Sequence, residues 1–205
     1  MALHFAMDSG SEELCTFLLD RGASQRGNNE GTTPLMRAIK KQKERLCEVL
    51  LSRGASVHTA DDLDMSPLMY AALTGNVAIC AMLLRFGARV SYRTPQGAMA
   101  LHGAAQAGHA HVCLLLLQNG ADQLPGPDGC VPLIFAAQGG HVDVCRVLLA
   151  YGATNEPQKD GITPLRVARQ FRHEEVFVML WDEFESPWAQ EGRPTKLISH
   201  GCVAG

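Results

Sequence analysis

The stretch DGCVPLIFAAQGGHVDVCRVLLAYGA, residues 128–153, holds every mark needed to read the rest of the chain. It opens on a turn pair, Asp128-Gly129, followed by Pro132-Leu133. A small pair, Ala136-Ala137, leads to Gly140-His141, and a second apolar run through Leu148-Leu149 stops at Gly152-Ala153. Proline at a first helical position and glycine just past a helix end punctuate two short helices. The same marks recur along the chain. Gly-Ala begins at Gly22, Gly54, Gly87, Gly120 and Gly152, at steps of 32, 33, 33 and 32 residues. In phase with it run Pro34-Leu35, Pro67-Leu68, Ala100-Leu101, Pro132-Leu133 and Pro164-Leu165. Between them fall Leu-Leu pairs at 18–19, 50–51, 83–84, 116–117 and 148–149. Three markers holding one register five times define a repeat of solenoid period.

Each unit reads as two short helices and an extended finger. Thr33, Ser66 and Thr163 stand directly before proline, where a hydroxyl can cap the first helix. The pairs Ala71-Ala72, Ala104-Ala105 and Ala136-Ala137 let neighbouring helices approach closely. Gly75, Gly108 and Gly140 end that helix where a left-handed residue costs little. Turn-rich segments such as Gly27-Asn28-Asn29 and Pro125-Gly126-Pro127 then lead to the next unit.

These residues resemble the ankyrin repeat, whose pattern is Gly-x-Thr-Pro-Leu-His, Ala-Ala, Gly-His, Leu-Leu and Gly-Ala. The resemblance covers roughly residues 1–185 and implies an all-α solenoid of stacked helix-turn-helix units with β-hairpin-like fingers. The units expected are 1–29, 30–62, 63–95, 96–127, 128–159 and 160–185. Residues 186–205, with Pro187, Gly192, Pro194 and Gly201, are expected to be a flexible tail in which Trp188 and Leu197 could fold back. The first unit starts inside its own motif, at Ala2-Leu3-His4, either as a truncated cap or because the natural chain extends upstream. Gln42 and Arg172 replace the helix-ending glycine, each at up to about 1 kcal/mol if left-handed.

Composition limits the possible partners. The formal charge is −3 over 205 residues, so no global field gathers nucleic acid or an anionic membrane. No apolar run approaches the 18 or so residues of a membrane span. The N-terminal MALHFAMDSG lacks a basic region of signal-peptide type. Cytosol, with access to the nucleus, is the expected location.

Seven cysteines invite a metal or disulfide reading, but five of them form a ladder. Cys15, Cys47, Cys80, Cys113 and Cys145 each sit three residues before a Leu-Leu pair. Helices packed about 8–10 Å apart keep such thiols beyond the 7 Å or so that a disulfide allows. They read as small buried hydrophobes. Cys130, in a finger, and Cys202, in the tail, are expected to be more exposed. His109 with Cys113, and His141 with Cys145, have the i,i+4 spacing of metal ligands. The resemblance instead gives His109 and His141 a bond to neighbouring backbone, and the same structural default covers His4 and His102. No nucleophile elbow, phosphate loop or zinc-type Cys pairing occurs. No metal, cofactor or catalytic residue is expected.

In this family the positions after the Ala-Ala pair face a concave groove. Here they include Lys40 and Lys41, Leu73 and Thr74, Gln106, Gln138, then Gln170 and Phe171. Arg37 and Tyr70 lie one turn away. The groove so read is basic at one end, apolar at Leu73 and amide-lined beyond, suited to an acidic segment and a peptide backbone. The function expected is a non-catalytic module that binds another protein as scaffold or adaptor. The alternative is the regulatory ankyrin segment of a larger enzyme or channel.

Overall fold

Thr33, Ser66 and Thr163 do what a hydroxyl before proline is suited to do. Each accepts a hydrogen bond from the backbone N–H three residues on, at Met36, Met69 and Arg166. The computed structural model describes residues 2–8, 11–158 and 161–185 and places twelve α-helices among them. They come in pairs: α1 (Ala2–Asp8) with α2 (Glu12–Asp20), α3 (Pro34–Lys40) with α4 (Glu44–Ser52), and α5 (Pro67–Thr74) with α6 (Val77–Arg85). Then follow α7 (Ala100–Gln106) with α8 (Ala110–Gln118), α9 (Pro132–Gly139) with α10 (Val142–Ala150), and α11 (Pro164–Gln170) with α12 (Glu174–Phe184). The all-α solenoid is therefore the fold. The expected tail, with Trp188, Leu197 and Cys202, lies outside the described residues, as does Met1.

First helices pack on first helices and second on second, so the array has two layers. The first-helix layer is the tighter one. Its helices run seven or eight residues against nine to eleven in the other layer. Ala71, Ala72, Ala104, Ala105, Ala136 and Ala137 are fully buried and let the backbones close up. A stack tighter on one side bends toward it, which puts the first helices on the inside of the curve. Leu50, Leu83, Leu116 and Leu148 fill the space between layers.

A clip joins successive units from α5 onward. Nε2 of His109 lies 3.1 Å from the Leu73 carbonyl, His141 Nε2 3.0 Å from that of Gln106, and His173 Nε2 2.9 Å from that of Gln138. A carbonyl only accepts, so each imidazole donates, satisfying an orphan acceptor at the end of the preceding first helix. The ring also occupies the space where the earlier unit's glycine has no side chain. A Cβ built on Gly75, Gly108 or Gly140 would come within 2.5, 2.8 or 2.6 Å of the following histidine ring. Gln42 and Arg172 are left-handed, at φ 53° and 60°, as expected from their register. Gln42 faces a unit with Asn76 in place of the histidine, so its Cβ meets no ring.

The fingers differ from hairpins: no strand occurs among the described residues. Each finger is instead closed by one repeated turn. The N–H of Asn28, Asp61, Thr94, Gly126 and Gln158 donates to the carbonyl four residues on. The residue three places on is left-handed every time: Gly31, Asp64, Gly97, Gly129 and Gly161. In the fourth unit Ala100 replaces proline and Met99 the capping hydroxyl, and His102 takes over. Its Nδ1 accepts from the Met99 N–H at 3.2 Å.

Burial pulls the His102 imidazole down to about 4. From pH 6.5 down to about 4, the unfolded chain takes up a proton that the folded chain refuses. Stability is thus complete above that window, falls through it on acidification and levels off below. The loss expected is up to about 3 kcal/mol. Urea midpoints from pH 7.5 to 4.5 measure it, and His102→Gln is expected to flatten the profile. An unchanged slope in that variant contradicts the assignment.

Candidate functional site

The residues expected to face the groove sit at the C-terminal ends of the first helices, where α3, α5, α7, α9 and α11 present successive turns. Lys40, the last residue of α3, is exposed and places its ammonium 4.0 Å from the centroid of the Tyr70 ring on α5. The Tyr70 hydroxyl donates in turn to the carboxylate of Asp61. Burial, then the hydrogen bond and charge of Asp61, push the phenol up from its ordinary value, so it stays protonated. The other oxygen of Asp61 accepts the N–H groups of Leu63 and Met65 at 3.0 Å each, fixing the finger turn. Lys40, Tyr70 and Asp61 thus tie the helix face of two units to one finger.

Leu73 is 37% exposed and leans over Gly103 on α7, with its Cγ 3.1 Å from where a Cβ would stand. Gly103 breaks a row that holds Phe5, Arg37, Tyr70, Phe135 and Val167 in the other units. Phe135 stacks edge-on against His102, with centroids 5.8 Å apart. Gln106, Gln138, Gln170 and Phe171 are exposed along the same edge. The structure therefore brings Lys40, Leu73, the three glutamines and Phe171 to one surface.

Besides Tyr70, three further expected site residues are engaged within the scaffold. Lys41 donates through Nζ to the Met7 carbonyl at 2.7 Å, in the last turn of α1. The carbonyl that a histidine reaches in later units belongs to the next register position, and the histidine's own position here holds Lys43, which pairs with Glu12 at 3.5 Å. Arg37 is half-buried, with Nη1 3.5 Å from the His4 carbonyl. Thr74 is half-buried and its hydroxyl donates to Ala71 of its own helix. The sequence reading passed over Gly103 and His173; both were findable by register, as the second and eighth residues after the marker leucine.

The ladder thiols are no more than 1% exposed. Burial pushes Cys47, Cys80, Cys113 and Cys145 up to about 12, and raises Cys15 as well. Such thiols are neutral at physiological pH and poor nucleophiles. Cys130 is less open than a finger position suggested. Its carbonyl closes the turn with Gly126 and it packs on the core, so burial first and Asp128 second raise its pKa. In native protein at pH 7.5, the ladder thiols are expected to label at least tenfold more slowly with a maleimide than in denaturant. Equal rates in the two states contradict a buried ladder.

Among the described residues no group of three or more His, Cys, Asp or Glu is placed to hold a metal ion. No helix of the described residues is long and apolar enough to cross a membrane. An open cleft of about 670 Å³ lies between α2 and α4, bordered by Glu12, Phe17, Lys43 and Leu46. It sits on the second-helix layer, away from the surface described above, and the Lys43–Glu12 and Arg53–Asp20 ion pairs bridge it.

Among models of known families, one described as ankyrin repeats in three copies matches residues 1–61, 46–126 and 122–190. No curated protein matches the chain.

Proposed function

Since the chain belongs to the ankyrin-repeat family, we propose that it is a scaffold or adaptor that docks a partner protein along its first-helix face and fingers. Ankyrin repeats are generally protein–protein interaction modules, and typically non-catalytic. The observation that carries the reading is the side chains left over once the scaffold is satisfied. Lys40, Leu73, Gln106, Gln138, Gln170 and Phe171 are exposed on one edge, while Arg37, Lys41 and Thr74 beside them are bonded to backbone. Helices fixed by caps and clips lose little entropy when a partner docks on them. The free, buried thiols fit a reducing compartment, so the cytosol with access to the nucleus is the location proposed.

Leu73→Asp and, separately, Lys40→Glu are expected to weaken partner binding about tenfold, or 1.4 kcal/mol, with an unchanged circular-dichroism spectrum. Lys41→Glu is the poorer probe, because it also removes the cap on α1. Titration calorimetry against a partner captured from the native source measures the change. Wild-type affinity in both variants assigns binding to another surface.

A further inference from the structure

We infer that two copies of this chain pair back to back across the middle of the second-helix layer. In α4, α6, α8 and α10 the third, fourth and seventh residues are all buried. At about 3.6 residues per turn, the second, fifth and ninth therefore point away from the core. In α6 and α8 the second and fifth are Ala78 and Ala81, then His111 and Leu114, and the ninth are Arg85 and Gln118. These two helices hold no carboxylate and only one Lys or Arg. Val77 and Phe86, at the two ends of α6, are 40% and 45% exposed. On either side the same positions turn charged, with Arg45 and Glu48 on α4 and Asp143 and Arg146 on α10, all four exposed. A centre poor in charge between charged flanks is the make-up of an interface core and its rim.

The flanks identify the occupant as a second copy. Arg45 and Glu48 fill the same two register positions as Asp143 and Arg146, with the signs exchanged. A twofold axis lying along the helices, midway between α6 and α8, lays α6 on α8 of the second copy and α4 on its α10, in register. Arg45 then meets Asp143 of the second copy, Glu48 meets Arg146, and both pairs occur twice. Arg85 meets the Gln118 amide. Within one chain Asp143 and Arg146 are 3.7 Å apart with side chains 82% and 63% exposed, so each can take a second partner. The other charges on α4 and its cap are engaged at home, Glu44 with the Asn76 amide and Arg53 with Asp20. Exposed ion pairs add little affinity, but they select orientation.

Shape agrees with charge. The second helices form the outside of the curve, so two such faces touch at the middle and diverge toward both ends. Ala78 and Ala81 stand where backbones come closest, and the long Arg45, Glu48 and Arg146 where the gap widens. Farther out the axis sets Glu13 of α2 toward Glu175 of α12, like charges that the divergence keeps apart. Four helices about 14 Å long and 8–10 Å apart make a face of roughly 500 Å², below the 800 Å² or so per partner of a standard interface. The dimer is accordingly a weak one. It leaves the first-helix face of each copy pointing outward and does not depend on what that face binds.

Sedimentation velocity of the full chain from about 5 to 500 µM, with thiols kept reduced, tests this, and a reversible dimer with Kd of about 10–100 µM is expected. Arg45→Asp and Asp143→Arg are each expected to weaken it at least tenfold, because each sets like charges opposite twice per dimer. Both residues are exposed, so an unchanged circular-dichroism spectrum is expected of both variants. An equimolar mixture of the two is expected to regain a dimer within about threefold of wild-type affinity, since each variant then meets its complement across the axis. Leu114→Glu is expected to leave monomer throughout the range. A wild-type chain that stays monomeric throughout overturns the inference and gives the face to a different protein. A dimer that Leu114→Glu leaves intact overturns the surface. Variants that their mixture fails to restore overturn the twofold register.

Discussion

Replacing Leu116 with alanine is expected to lower stability by about 2–5 kcal/mol and to split unfolding into two steps. Leu116 is fully buried in α8, which packs on α6 before it and α10 after it. Truncation removes apolar contact on both sides and leaves a cavity that rigid neighbours cannot fill. Whole domains are stable by only about 5–15 kcal/mol, so one such cavity is a large fraction of the total. In a stacked array each unit contacts only its neighbours, and a weak middle unit uncouples the two ends. The units ending in α6 and those beginning with α9 are then expected to melt separately in urea. Leu124→Ala, on an exposed finger residue, is the control, with a change within about 0.5 kcal/mol. A single transition shifted by less than 1 kcal/mol in Leu116→Ala contradicts the stacking account.

Gly75→Ala is expected to cost about 2–4 kcal/mol, well beyond the usual penalty for a left-handed alanine. That penalty is about 1 kcal/mol at φ +74°. The remainder comes from the new Cβ, which falls 2.5 Å from the His109 ring and forces the clip open or the units apart. Installing His109→Asn as well is expected to recover about 1–2 kcal/mol. Asparagine vacates the space and, as Asn76 does, can cap its own helix by accepting from the N–H three residues on. The double variant recreates a junction the protein already contains, Gln42 against Asn76. A double-mutant cycle by urea denaturation measures the coupling. Additive losses, with no recovery in the double variant, rule out the steric account.

The helix ends, the ladder and the stacking order were legible because each follows from local chemistry repeated in register. A hydroxyl before proline starts a helix wherever it occurs, and Thr33, Ser66 and Thr163 all do so. The left-handed turns at Gln42 and Arg172 were equally readable, since the backbone path is set by the unit rather than by the side chain. What escaped depends on residues some 30 positions apart. Nothing local tells that Lys41 caps α1, or that Asn76 is what permits Gln42. His173 escapes a motif reading because Arg172 breaks the Gly-His pair that marks the other such histidines. A place in a turn suggests an exposed Cys130, whereas the turn folds back onto the core.

The direction of the histidine clip bears on how the chain is made. Each imidazole reaches backward, from His109 to Leu73, from His141 to Gln106 and from His173 to Gln138. A nascent chain leaving the ribosome therefore cannot finish one junction until the following unit has emerged behind it. Each segment waits for its successor, and the last acceptor is satisfied only when residue 173 arrives. Assembly proceeds like a zip drawn from the amino terminus. A transcript cut between His141 and His173 leaves the Gln138 carbonyl, in the last turn of α9, without its donor, a natural mark of an unfinished molecule.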